Sequence, residues 1–418
     1  MATDRIGEAA VGRDTDLFAH AGLAFGGDGL ESLASVPMTE EQVLSLAQQM
    51  TGCDDWGPDE SFRVGLRVLV DAIEAMEPPD RWRHSFRRQI VHFLNQRLRL
   101  REDERGSPEI REESIDGPVM IVGIPRTGTT LTHDLLALDP SARAPRNWEY
   151  AAPWPAPQIE TFATDPRIAK VNASWKAQLD ASPELSSMLP MDANMPSECN
   201  DSMMFHFAGP NYWAWFRVPE HRRWTAEQTA PGLYGTHKRI LQQLQWKGPR
   251  GRWTLKSPGF IGDLTAILDT YPDARLVWTH RDPATTIASL SSLVAALQNA
   301  LLGVYPDPVE LGKETRDLWV ACLKRGMAAR SDPRVAKAVL DIPYRELVSD
   351  KVGTTRRIHD HFGLEFTDEH QKGIEALEVV QPSSHFAKHS YTPEDFGVDV
   401  DSLREELSDY YAQYGDLV

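Results

Sequence analysis

The stretch Val119–Pro140, VMIVGIPRTGTTLTHDLLALDP, constrains this chain more than any other. Val119 to Val122 is a fully apolar run of valine, methionine and isoleucine, the profile of a buried strand. Gly123 to Gly128 is a turn with glycine at both ends and Pro125 inside it. From Thr129 a helix opens, with hydroxyl residues where orphan backbone N–H groups need partners. Strand, glycine turn and helix start together make an anion cradle, because free amides and the positive helix end converge on one spot. A structural Gly-Thr turn in an ordinary α/β domain has the same local pattern, and this stretch alone leaves both readings open.

The spacing is nearly that of the nucleotide P-loop: Gly123, four residues, Gly128, then two hydroxyls. The lysine that neutralises β- and γ-phosphates is missing, and Thr129 stands in its place, which makes ATP or GTP hydrolysis a poor reading. A cation appears earlier, at Arg126. A second stretch, ARLVWTHRDPATTIASLSSL at Ala274–Leu293, reads as another buried strand broken by Arg281-Asp282-Pro283, with Pro283 in the first turn of a helix that carries Ser289. In a parallel sheet the carboxyl ends of both strands open onto one ligand-binding edge. Taken singly, Arg281 reads equally as a solvated loop cation and Ser289 as a helix-surface hydroxyl.

PRTGTT at Pro125–Thr130 resembles the loop that sulfotransferases wrap around the 5′-phosphosulfate of 3′-phosphoadenosine 5′-phosphosulfate (PAPS). Arg281 and Ser289 have the spacing of that family's 3′-phosphate pair, and the two motifs stand about 150 residues apart in the family's order. The resemblance runs more loosely from Val119 to Phe396 and is nearest to bacterial members. It implies that Arg126, Thr127, Gly128, Thr129 and Thr130 hold the 5′-phosphate, and that Arg281 and Ser289 hold the 3′-phosphate. Lys256, at the end of the RWTL strand, resembles the lysine that cytosolic relatives set near the bridging oxygen. Those relatives place a histidine base two residues later, where this chain has Pro258. Glu149 in NWEY resembles the glutamate of carbohydrate-type and bacterial members and is the first candidate base; His133, one turn beyond the loop, is the second. Tyr344 resembles an aromatic set beside the purine. Lys388, His389 and Tyr391 occupy the late segment where relatives close over the 3′-phosphate, and Glu198 is placed either facing the acceptor or capping a helix.

The whole chain is consistent with that reading. Its 418 residues and 41% hydrophobic content support one large α/β domain with helical additions, or two to three domains. A net charge of −17 argues against nucleic acid as a partner and requires that a polyanionic donor be held by local cations and amides. Cys53, Cys199 and Cys322 show neither metal-ligand spacing nor a disulfide framework. The first residues lack the order of a signal peptide, and no run approaches the roughly 18 apolar residues of a membrane span. The expectation is a cytoplasmic protein without a transmembrane segment, which leaves lipid or glycan acceptors open.

Coarsely, residues 1–36 are expected to form a flexible arm, 37–105 a helical cap, and 117–418 an α/β domain whose section 151–250 is expected to be mostly helical and to bind the acceptor. Helices are expected from Thr39, over Phe62–Met76 and over a basic stretch Asp80–Leu100, whose arginines read best as solvated or paired within the chain. Arg101–Asp116 reads as a polar linker. Strands are expected at Arg252–Leu255, Ala274–Thr279 and Val335–Ile342. Alternating with helices, they imply a mainly parallel sheet flanked on both faces, the P-loop NTPase-like sulfotransferase fold with an N-terminal cap and a helical insertion. The Met- and Trp-rich section, including Met188, Met203, Met204, Trp213 and Trp224, either lines an apolar acceptor pocket or packs helices on the sheet.

Sulfuryl transfer needs in-line positioning and a counter-charge for the departing oxygen, which amides and cations can supply without a metal. No metal-binding cluster is visible in the sequence. The competing readings are a P-loop kinase, which would need a loop lysine and a strand-end aspartate for magnesium, and a nucleotide-binding protein without catalysis.

Overall fold

In the computed structural model, residues 30–181, 191–380 and 392–418 are described. Five strands form one sheet: β1 Val119–Val122, β2 Ala142–Arg143, β3 Arg252–Lys256, β4 Arg275–His280 and β5 Val339–Pro343. Their order is β2-β3-β1-β4-β5 and every neighbouring pair is parallel. All four residues of the central strand β1 are buried, as a strand covered by helices on both faces must be. Ile121 lies beside Lys256 and Val122 beside Trp278, so β1, β3 and β4 end at nearly the same level. The segments after them, Gly123–Gly128, Ser257 and Arg281, therefore share one edge, joined by Tyr344 after β5.

The N-terminal helices α1 Glu40–Thr51, α2 Phe62–Ala75 and α3 Asp80–Gly106 follow their sequence signals. Thr39 caps α1 by accepting from the Gln42 amide, and Gly52 ends it in a left-handed conformation. These helices share one continuous apolar core with the sheet helices, from Leu44 and Phe62 through Phe93 and Phe205 to Trp253 and Trp278. The basic helix α3 turns two arginines inward. Arg87 donates to the carbonyls of Leu33 and Val36, and Arg97 to Phe205 O (3.1 Å) and Thr236 Oγ1 (3.2 Å). Those bonds dock residues 33–36 onto α3, so the described end of the expected arm is held in place.

Two expectations need correction. Arg101–Asp116 is no free linker: α3 continues to Gly106, and Gln242 donates to the carbonyls of Arg111 and Glu113, both at 2.9 Å. Val335–Ala338 is helical, because the Asp332 side chain accepts from the Arg334 amide and Pro333 starts a turn, which delays β5 to Val339. Helix Pro283–Leu302 is long and apolar enough to cross a membrane by length and composition, although no single apolar run signalled it. It is 67% buried within the fold, where it carries Ser289.

Candidate active site

The loop after β1 is built on two glycines that nothing larger could replace. Gly123 has φ +139°, and a Cβ there would lie 2.8 Å from both the carbonyl and the hydroxyl oxygen of Thr279. Gly128 has φ +92°, and a Cβ would meet Leu347 at 2.7 Å and Tyr344 at 2.9 Å. Between them Arg126 also adopts a left-handed backbone, φ +70°, which costs a non-glycine residue about 1–2 kcal/mol. The strained residue is the loop's exposed cation. The Thr127 hydroxyl turns inward, donating to Ile124 O at 2.8 Å and meeting Thr279 Oγ1 at 2.7 Å. Thr127 therefore keeps the loop's shape and has only its backbone to offer a ligand.

Helix α4, Thr129–Ala137, starts without any side-chain cap, and its first bond runs from the Thr132 amide to Gly128 O. The preceding amides, of Thr129, Thr130 and Leu131, have no intrahelical acceptor. Thr129 is buried and the Thr130 side chain is exposed. Here no capping hydroxyl competes for amides that face an anion site.

The second motif meets the first. Arg126 Nε donates to Ser289 Oγ at 3.2 Å, and Arg281 Nη1 donates to Arg126 O at 3.1 Å. The Arg281 guanidinium lies 4.4 Å from the Tyr344 ring centroid. Asp282 beside it is engaged elsewhere, accepting from the Ala284 amide (3.1 Å), Tyr411 Oη (2.7 Å) and Arg404 (3.4 Å). Four residues that the sequence separates by up to 218 positions, Arg126, Arg281, Ser289 and Tyr344, thus form one contiguous group. Lys388, His389 and Tyr391 lie outside the described residues.

Lys256 ends β3 on the other side of the loop. Its side chain is buried, with Nζ 3.3 Å from Thr130 Oγ1 and ion-paired to Glu198. Glu198 is 41% exposed in its side chain, so the pair opens to the surface through the carboxylate. Asn200 Nδ2 donates to Glu198 Oε2 at 3.3 Å and its side-chain oxygen accepts from the Ser257 hydroxyl. Two further carboxyls sit close. Burial pushes Asp134 up to about 6 against the opposing pull of Lys256. Burial and the charge of Glu198 push Asp201 up to about 7. Asp134 was missed in the sequence, although it lies four residues after Thr130 and so on the same face of α4.

The two candidate bases chosen from the sequence do not belong to this opening. Glu149 is fully buried: Arg143 engages both carboxylate oxygens, Oε2 at 3.0 Å, and the Arg146 amide donates to Oε2 at 2.8 Å. It is a helix-start carboxylate in a closed ion pair, without a free oxygen directed at an acceptor. His133 donates from Nε2 to Thr254 O at 3.1 Å and is 1% exposed. Burial, and then the charge of Lys256, lowers its pKa to about 3. Met203, Met204 and Trp213 are core residues, and the cavity that Met203, Trp224 and Leu318 line beside Gly259 is about 30 Å³, roughly one water's share. Packing, therefore, is what those three do.

Comparison with known proteins places the chain among sulfotransferases. The profile described as Sulfotransferase family matches residues 118–368. Omega-hydroxy-beta-dihydromenaquinone-9 sulfotransferase Stf3 of Mycobacterium bovis and of Mycobacterium tuberculosis is 26% identical over 320 residues, covering 73% of this chain and 77% of the relative. The crystal structure of sulfotransferase STF9 from Mycobacterium avium superposes with a TM-score of 0.81 at 28% identity, covering 91% of this chain and 97% of that one. That of STF1 from Mycobacterium tuberculosis gives 0.76 at 28% identity, covering 89% and 99%.

Proposed function

This chain belongs to the sulfotransferase family, and we propose that its donor is PAPS and its acceptor a hydroxyl of a lipid-soluble small molecule. The observation that carries the donor is the group Arg126, Arg281 and Ser289, bonded together on the Gly123–Gly128 loop with Lys256 at the neighbouring strand end. It offers two cations, a hydroxyl and uncapped amides in a chain of net charge −17, which suits a ligand with two separate phosphates. Bound PAPS supplies an activated sulfuryl group whose phosphate partner leaves as adenosine 3′,5′-bisphosphate. Arg126, Thr130 and the amides from Gly128 to Thr130 hold the 5′-phosphate; Arg281 and Ser289 hold the 3′-phosphate, with Tyr344 beside the purine. Lys256 holds positive charge where the leaving oxygen becomes negative, the task a metal performs in phosphoryl transfer.

In the same reading Glu198 is the base. It is the accessible carboxylate at Lys256, and hydrogen bonds from Asn200 and the ion pair orient it. Removing a proton from an acceptor hydroxyl as the sulfuryl group arrives needs such a carboxylate within reach of the donor site. A lipid alcohol is favoured because the relative Stf3 carries a hydroxylated menaquinone derivative in its name. We place the protein in the cytoplasm, because three scattered cysteines without a disulfide framework fit a reducing compartment.

The test is thermal denaturation with ligands. Adenosine 3′,5′-bisphosphate should raise the melting temperature more than ATP with Mg²⁺ does, through mass action on the native state. The reverse order would return the kinase reading. Single-turnover transfer from labelled PAPS to an extract of lipid alcohols then identifies the acceptor.

A further inference from the structure

We propose that Asp139, His359 and His370 form a binding site for one divalent transition-metal ion, with zinc the ion that suits it best, at the sheet edge opposite the sulfuryl-transfer site. One ligand atom from each residue lies within 4.8 Å of the others. All three residues are more than nine-tenths buried. They come from three separate places: Asp139 follows α4, His359 sits on helix Lys351–Phe362, and His370 on helix Asp368–Val380.

The hydrogen bonds fix the tautomer that each imidazole adopts when neutral. His359 Nδ1 is 2.8 Å from Glu365 O, and His370 Nε2 is 2.8 Å from Leu135 O. A carbonyl only accepts, so each of those nitrogens carries the ring proton. The other nitrogen of each neutral ring, His359 Nε2 and His370 Nδ1, then presents a lone pair. Both atoms are among the buried side-chain nitrogens and oxygens of the described residues that have no hydrogen-bond partner. Two such atoms in one place are costly to bury unsatisfied. An imidazole fixed by a backbone carbonyl on one nitrogen and aimed with the other is the orientation that metal-binding histidines adopt.

Asp139 supplies the negative charge. Its Oδ1 accepts from the Ser141 amide (2.8 Å) and hydroxyl (2.9 Å), and its Oδ2 from Arg252 Nη2 (2.5 Å). The Arg252 bond leaves Oδ2 a lone-pair direction for a metal, while the guanidinium charge opposes a cation and limits its affinity. Two imidazole nitrogens and one carboxylate oxygen suit zinc, with cobalt or nickel binding the same set and a water completing four-coordination. Asp139 lies ten residues beyond Thr129, about 15 Å along a helical path, so the ion would be a clamp on the far end of α4. It would tie that end to two helices more than 200 residues later in the chain and take no part in sulfuryl transfer.

The experiment uses the full chain without a histidine tag, stripped by chelator and returned to Zn²⁺ or Co²⁺ alone. The expected result is one Zn²⁺ per chain by calorimetry, a rise in melting temperature, and a visible Co²⁺ band typical of four-coordination. His359→Gln and His370→Gln should each abolish the Co²⁺ band, and Asp139→Asn should weaken Zn²⁺ binding at least 10-fold. Because a variant can fail to fold, the wild-type chain decides by itself: neither a Co²⁺ band nor a melting response at saturating metal overturns the site. Unchanged Zn²⁺ stoichiometry in a folded His359→Gln/His370→Gln chain overturns it as well.

Discussion

The two ends of β3 hold similar ingredients and do different things with them. At the amino end Arg252 is paired with Asp139, a carboxylate only 4% exposed in its side chain, and bonded to the exposed Ser141 hydroxyl. At the carboxyl end Lys256 is bonded to Thr130 and Glu198, and Glu198 reaches the surface. Only four residues, about 13 Å of strand, separate the two cations. The difference is topological: in a parallel sheet the carboxyl ends of β1, β3 and β4 deliver their loops to one edge, and the residues there cannot all be closed off by helices. A cation becomes part of a reaction site where its partner remains accessible, and becomes structural where the partner is sealed.

The sharpest way to break this contrast is to remove the accessible partner. Glu198→Gln should lower single-turnover transfer by roughly 10²–10⁴-fold, with little change in affinity for adenosine 3′,5′-bisphosphate. Asp134→Asn in the same assay is the control for the neighbouring carboxyl. Near-normal transfer by the Glu198 variant, with collapse in the Asp134 variant, would transfer the role of base to Asp134.

The sealed pairs should answer in stability instead. Glu149→Gln leaves Arg143 as an uncompensated buried charge, a change that costs about 3–5 kcal/mol in comparable interiors. Denaturant unfolding should show that loss, and the fraction that stays folded should transfer sulfuryl groups at the unaltered single-turnover rate. A folded variant with a 100-fold slower chemical step would restore Glu149 to the site.

Arg281→Ala sits between these extremes. It removes charge-assisted bonds without burying anything new, so affinity for the bisphosphate should fall by roughly 1.5–3 kcal/mol with a small effect on folding. Calorimetry that finds no weakening would detach Arg281 from the donor site.

What the sequence disclosed follows the same division. Val119–Val122, the glycine turn and the arginine before Pro283 were legible because each is a local rule: a fully apolar run, a left-handed backbone, a helix start. Their convergence followed from the parallel order of the strands. For Glu149 and His133, proximity along the chain says nothing about which way a side chain faces or which partner waits there. Arg143, six residues before Glu149, and Thr254, on β3, decide their roles. Asp134 carries a local signal, four residues after Thr130 on one face of α4, whereas the Asp139–His359–His370 group has none, since long-range packing creates it and no spacing announces it.

The smallest expected effect also tests the open end of β3, through pH. Asp201 accepts from the Ser197 hydroxyl at 3.0 Å and from Asn211 at 2.9 Å, yet burial, followed by the negative charge of Glu198, pushes its carboxyl up to about 7. In the unfolded chain an aspartate titrates near about 3.9. The folded state therefore holds this proton more tightly than the unfolded one, and the stability linked to it is complete below pH ~4 and lost as the pH rises through about 7. Asp201→Asn keeps an acceptor oxygen and removes the titration. Its unfolding free energy should match the wild type near pH 4 and exceed it at pH 8, by on the order of 1–2 kcal/mol once solvent access at this open end is allowed for. If the two curves stay parallel between pH 4 and 8, Asp201 is ionised throughout, and the carboxylates around Lys256 are better solvated than their packing indicates.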